Sequence, residues 1–163
     1  MNNSQKTFEG ETDWTAGGYG NTDLREKLNS TYYNGLQDDL RNIVKEVVKI
    51  SDKGYVNNPG LRSTNELVWI PSATELSLDG VSSGELFLQD QSSTGEGYPW
   101  FSNNETRIKK DINGVAANYW TRTHRSGLRF RLIDIRPDGT IGSSGSEGLS
   151  VARSAKVLFG ICI

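Results

Sequence analysis

The chain has a single cysteine, Cys162, and a single histidine, His124. One thiol excludes an intrachain disulfide framework, and one thiol with one imidazole cannot assemble a two-His or multi-Cys metal centre. Long apolar runs are also missing. No stretch approaches the ~20 residues of a membrane-spanning helix, so membrane insertion is not expected. The opening Met1-Asn2-Asn3-Ser4-Gln5-Lys6 has none of the apolar character of a secretory signal. Work outside a cell would need carriage in a virion, in a longer chain or by another export route. Nor is charge of one sign in excess: 18 basic and 20 acidic residues give a net charge of −2. That balance offers no bulk attraction to nucleic acid.

Glycine, by contrast, is abundant, with 18 among 163 residues, while the hydrophobic fraction is only 34%. A chain of this length buries about two thirds of its unfolded surface as one domain. The composition therefore predicts an economical core and extensive loops. Residues 1–20 are polar and read as an arm or irregular edge, leaving 21–163 as a single domain. The class expected is α+β: two N-terminal helices packed on a small, mostly antiparallel sheet with long loops.

The first helix is well signposted. Asn21, Thr22 or Asp23 can cap it, Leu24, Leu28 and Tyr32 form one apolar stripe, and Asn34-Gly35 ends it. Asp38 or Asp39 can cap a second helix with Leu40, Ile43, Val44 and Val47 on one face, although Val47-Val48-Lys49-Ile50 also reads as a strand. Leu67-Val68-Trp69-Ile70, stopped by Pro71, predicts a core strand. Ser72-Ala73-Thr74-Glu75 matches a capping box and predicts a short helix ending near Leu78. A Gly/Ser-rich excursion follows from Asp79 to Gly97. The aromatic cluster Tyr98-Pro99-Trp100-Phe101 is expected to anchor it to the core.

The last third is the most informative. Trp120 opens a terminal sheet, and Leu128, Phe130 and Leu132 alternate with Arg129 and Arg131 before the phase slips, predicting a bulge. Pro137-Asp138-Gly139 predicts a turn, since proline fixes φ and glycine supplies a positive φ. A Gly/Ser run leads to the apolar end Lys156–Ile163, where Cys162 reads as a buried core thiol. Core strands thus flank polar, permissive segments, the usual construction of a recognition module. Arg122, Arg125, Arg129, Arg131 and Arg136 stand against the single acid Asp134, a local basic patch on a nearly neutral chain. Arginines with aromatics can grip carboxylates and stack on sugar faces. The candidate ligand-binding residues are Thr121, Thr123, His124, Arg125, Arg129 and Arg131, together with Ser143, Ser144 and Ser146. Trp69, Trp100, Trp120, Arg122 and Phe159 are assigned structural roles.

Catalytic chemistry finds little footing. Hard Ca²⁺ in sugar-binding sites needs converging oxygens from Glu-Pro-Asn, Gln-Pro-Asp or Trp-Asn-Asp, and none of these tripeptides occurs. The Gly139–Gly148 run lacks Gly-Lys-Ser/Thr and reads as a surface loop rather than a phosphate cradle. His124 has no Gly-x-Ser-x-Gly partner, which favours a loop histidine over a catalytic base. Carboxylates are plentiful, but no spacing singles out a glycosidase pair. Asn29-Ser30-Thr31 and Asn104-Glu105-Thr106 match the glycosylation sequon as chance occurrences. No enzymatic activity and no cofactor are expected.

Several motifs in order carry a resemblance: Asp23-Leu24-Arg25-Glu26-Lys27-Leu28-Asn29, then Leu67-Val68-Trp69-Ile70-Pro71-Ser72-Ala73-Thr74-Glu75. Next come Gly95-Glu96-Gly97 through Arg107-Ile108-Lys109, then Tyr119-Trp120-Thr121-Arg122-Thr123, and last Phe159-Gly160-Ile161-Cys162-Ile163. Over roughly residues 14 to 163 the chain resembles a family of bacterial and prophage-encoded domains of unknown function. The resemblance implies a C-type-lectin-like fold, similar to that of the formylglycine-generating enzyme and of phage tropism determinants, whose terminal strands and loops display a variable binding face. It carries a fold and a setting rather than a reaction. An oxidase of the formylglycine-generating kind needs a cysteine pair or copper thiolates, which a lone Cys162 does not supply. Thr123 stands where the family often has Ser, and the following Pro is absent, so the path after Trp120 is expected to differ.

The expectation is a ligand-recognition domain of a phage tail or bacterial surface protein. It would bind a host surface glycan or protein through the 121–131 segment and the 140–153 loop. The alternative is a structural virion or assembly protein whose lectin-like face packs on neighbouring subunits, with homo-oligomers within either reading.

Overall fold

The computed structural model of the protein describes residues 18–52, 61–78, 97–124, 131–142, 149–150 and 156–163. Among them the architecture is α+β, with few and short helices and two small antiparallel sheets.

A 3₁₀ turn, Gly18–Asn21, leads into helix α1 (Asp23–Lys27), which continues as a π-helical turn over Leu28–Tyr32. Thr22 is the cap: its Oγ1 accepts from the Arg25 amide at 3.1 Å and donates to the Tyr19 carbonyl at 2.9 Å. The helix widens where Asn29 Nδ2 takes the Arg25 carbonyl, the acceptor that an ordinary α-turn would offer to the Asn29 amide. Tyr19 lies in the core and not in an arm, as the sequence had suggested, because it packs with Leu24 and Leu28. Thr22→Ala removes an internal cap that is itself buried. The expected cost is ~1–2 kcal/mol, read as a lower urea midpoint at unchanged m-value.

The second helix is much shorter than its apolar spacing predicts. Helix α2 is Asp38–Arg41 and buries no residue; Ile43 is exposed, and strand β1 (Val47–Asp52) takes over the β-branched run. That run was compatible with either element, and pairing decides it: β1 lies antiparallel to β2 (Leu61–Glu66), with Val47 opposite Glu66 and Asp52 opposite Leu61.

The second sheet holds β3 (Tyr119–His124), β4 (Arg131–Ile135) and β5 (Leu149–Ser150) in the order β3-β4-β5. It is covered on both faces. Trp120 and Leu132 face the α1 side with Tyr19, Leu24, Leu28, Val68 and Ile70, whereas Tyr119, Ile133 and Ile135 face Ala73, Leu76, Leu78 and Ile141. Hence Leu132 through Ile135 are all buried, and the polar-apolar alternation expected of a half-exposed strand stops at Leu132.

Between the two sheets runs the 67–78 stretch. Val68, Trp69 and Ile70 are buried as expected, but instead of a strand they give a single bridge, from Trp69 to Gly160. Ser72 and Glu75 do form a reciprocal cap: Ser72 N donates to Glu75 Oε2 at 2.9 Å, and Glu75 N donates to Ser72 Oγ at 3.0 Å. Only one turn follows, because Ser77 adopts a positive φ of 53° that no helix continues through. Helix α3 (Asn104–Arg107) is capped by Asn103.

The terminal residues 156–163 are not a continuous core strand. They meet the body through bridges from Lys156 to Tyr119, Gly160 to Trp69 and Cys162 to Lys45. Cys162 is half-buried and Phe159 exposed, which corrects the core placement of both. Its apolar residues are divided between two clusters, Val157 and Ile161 on the Trp120 side and Leu158 on the Tyr119 side.

Candidate functional site

The terminal sheet fixes the ends of the segments assigned to ligand recognition. His124 closes β3 opposite Leu132, and Arg131 opens β4 opposite Ser150 of β5. Residues 125–130 and 151–155 therefore attach at the same end of the sheet. Residues 143–148 attach at its edge. Ile141 bridges to Ile135, the Gly142 amide donates to the Asp134 carbonyl at 2.8 Å, and the chain rejoins with Leu149 opposite Leu132. The Pro137-Asp138-Gly139 turn forms as the sequence predicts. Gly139 takes a φ of +78°, its amide donates to the Arg136 carbonyl, and Asp138 Oδ1 accepts from the Thr140 amide. Of the predicted ligand residues, Arg125, Arg129, Ser143, Ser144 and Ser146 lie outside the described residues, as does the Asp79–Glu96 excursion. His124 and Arg131 are placed by their strand positions alone.

Thr121 and Thr123, expected on an exposed face, are buried. The cause is a break in register: Trp120 pairs with Asp134 but His124 pairs with Leu132, so β3 carries extra residues opposite Ile133. Within that bulge Thr121 Oγ1 donates to the Ile133 carbonyl at 2.8 Å, replacing a ladder bond. Thr123 Oγ1 accepts from the Ala73 amide at 2.8 Å. Both hydroxyls join strand to frame, and neither faces solvent.

Behind β3 sits a buried ionic cluster. The Arg122 side chain is fully enclosed; Nη1 donates to the Ile70 carbonyl at 2.8 Å and to Glu75 Oε2, while Nη2 donates to the Ile50 carbonyl at 3.2 Å. Lys49 Nζ donates to the other Glu75 oxygen and to Tyr98 Oη, both at 2.8 Å, and lies 4.1 Å from the Trp69 ring centroid. One carboxylate thus joins β1, β3, the 72–75 turn and the residue where the chain returns at Tyr98. The Tyr98 amide also donates to the Glu75 carbonyl at 2.9 Å.

Burial alone would raise the Glu75 pKa, but the charge and hydrogen bonds of Arg122 and Lys49 outweigh it and hold the carboxyl below its ordinary range. Burial and the Glu75 charge push the Tyr98 hydroxyl up. A carboxylate engaged at both oxygens and titrating low is poorly matched to proton transfer near neutral pH. The cluster is a clamp. Trp100, expected beside Tyr98 in the core, is instead 74% exposed, and the anchoring falls to Tyr98 and to Phe101, which packs against the Tyr119 cluster.

Sequence reasoning placed Lys49 in a strand-like run and Asn29 in a helix motif but gave neither a role in joining elements, and it gave Glu75 no role beyond its cap and motif position. Asn29 accepts from the Leu67 and Val68 amides and donates to Glu66 Oε2 and the Val68 carbonyl, stitching α1 to the end of β2. Arg25 adds a 2.5 Å ion pair to Glu66. The available signal was Lys49 itself, a charge inside a β-branched run.

No helix among the described residues is long and apolar enough to cross a membrane. Residues 4–155 match the family model of the domain of unknown function DUF6273, and the chain belongs to that family. No curated protein and no solved structure matches it.

Proposed function

We propose that this member of the DUF6273 family is a ligand-recognition domain of a phage tail or bacterial surface protein, binding a host surface glycan or protein without catalysis. The observation that carries the reading is the fixing of both ends of 125–130 and 143–148 by one sheet buried on both faces. A rigid frame lets polar connecting segments vary in sequence while their attachment points stay in place. Arg125, Arg129, Arg131, Ser143, Ser144 and Ser146 then form the recognition face with His124, and Thr121 and Thr123 pass to the frame. The finer architecture is read as C-type-lectin-like, supported by a late chain that pairs back onto the early chain at Lys45 and Trp69.

The test is binding of the multivalent, fluorescently labelled domain to a panel of bacterial cells and a glycan array, with avidity raising weak single-site affinities into range. The expected outcome is selective binding to particular strains or glycans, abolished in the R129A/R131A double variant at an unchanged melting temperature. Selective binding that survives R129A/R131A would move the face elsewhere. Self-association in sedimentation, without affinity for cells or glycans, would instead favour packing on neighbouring subunits. The exposed Ile43, Val48 and Ile163 give that second reading its footing.

A further inference from the structure

A concave site lies at the Tyr119 end of β3, opposite the end that His124 closes. Residues 110–116 form a tight hairpin: Lys110 bridges to Ala116, and the Asp111 amide donates to the Val115 carbonyl at 2.8 Å. Asp111 Oδ1 is committed to this turn, accepting from the Asn113 amide at 2.9 Å and the Val115 amide at 3.1 Å. Alongside runs the 156–158 segment, held by the Lys156 amide on the Asn118 carbonyl at 3.0 Å. Between the two is a cleft of about 350 Å³, at the lower end of the ~300–1,000 Å³ range of small-ligand sites.

Its lining combines two chemistries. Ile112, Ala117, Val157 and Leu158 supply apolar wall, and Lys110 and Lys156 supply positive charge. Lys109 also lines the cleft, but its ammonium donates to the Thr106 carbonyl at 2.7 Å and lies 5.0 Å from the Phe101 ring centroid. Lys156 Nζ stands 3.8 Å from Asp111 Oδ2, the outer limit of an ion pair, so its charge is only partly offset. Lys110 is exposed and has no ion pair among the described residues. Ile112, 86% exposed, stands at the rim where an isolated apolar side chain gains nothing from the fold. Cations only partly compensated beside apolar surface form a receptor for an anion carried on an apolar-faced body.

We propose that this cleft binds a small anionic saccharide, a sugar carboxylate or a sugar phosphate, with the anion between Lys110 and Lys156 and a ring face against Ile112 and Leu158. The proposal does not rest on the reading of the 125–131 segment. The test is an amide-resonance titration of the full chain with D-glucuronate, D-glucose 6-phosphate and neutral methyl glucoside. Either acid is expected to give saturable shifts confined to 109–113, 117–119 and 156–158, weakened by added salt. The acid that saturates identifies the source of the anion. K110Q/K156Q is expected to weaken binding at least tenfold, whereas K110R/K156R, which keeps the charge, and R129A/R131A retain it. The proposal is overturned by equal response to methyl glucoside, by failure of both acids to saturate, or by unchanged affinity in a folded K110Q/K156Q.

Discussion

Glu75→Gln is expected to destabilise the protein by about 3–5 kcal/mol, the cost of removing one partner from a buried ion pair. The glutamine keeps the shape and an acceptor for the Ser72 amide, but it takes the Glu75 charge away from the enclosed Arg122 guanidinium and the mostly buried Lys49 ammonium. Urea unfolding at neutral pH measures the loss. Removing both partners in E75Q/R122M should cost less than the two single losses summed, since the second change also removes the stranded charge. The pH dependence separates charge from packing. The Glu75 pKa is lower in the folded chain than its ordinary value of 4.5, so its contribution is fully present above that value and is lost as pH falls through the lower, folded one. Wild type should therefore weaken on acidification below that ordinary value, and E75Q should lose this part of the acid sensitivity. Parallel stability–pH curves for the two would assign the acid dependence to other carboxylates and remove Glu75 from the centre of the frame.

Gly139→Ala is the second large effect. The residue is buried at a φ of +78°, and a β-carbon there would lie 1.8 Å from the Asn104 carbonyl oxygen, closer than any non-bonded contact allows. The left-handed backbone costs an alanine about 1–2 kcal/mol, and displacing a backbone carbonyl adds about 1–3 kcal/mol of overpacking. The expected total is ~2–5 kcal/mol, a fall in melting temperature on the order of 10 °C for a chain of this size. Gly114 serves as the control. It has the same φ but open space around its β-position, so G114A should show the backbone cost alone. Equal losses at the two glycines would mean that Gly139 does not pack against the Asn104 carbonyl at the start of α3.

Local signals were legible where one short segment determines its own structure. Thr22 caps α1, the helical run ends at Asn34-Gly35, Ser72 and Glu75 bond reciprocally, and Gly139 takes its positive φ, each fixed within a few residues. What failed depended on distant partners. The Leu40-to-Val47 spacing fits a helix, yet pairing of β1 with β2 claims its end. The face of Thr121 is set by a register break against β4, which alternation within β3 alone does not reveal. The ionic cluster was hidden for the same reason: Glu75 lies 26 positions from Lys49 and 47 from Arg122. Within the proposed recognition segment, sequence placed Thr121 and Thr123 on an exposed face and the structure buries them, because a threonine in a strand suits a solvent face and a bulge equally well.

Gly142 bonds to Asp134 and Leu149 pairs with Leu132, so the two residues that bound 143–148 lie side by side along one strand. Neighbouring ends make length a free variable. Doubling a flexible closed segment costs only about 0.6 kcal/mol of closure entropy, less than one buried hydrogen bond lost from the frame. The 143–148 position is therefore a graft point. Longer or unrelated peptides spliced there should leave the register of β3, β4 and β5 untouched, and one scaffold could be re-specified without being redesigned.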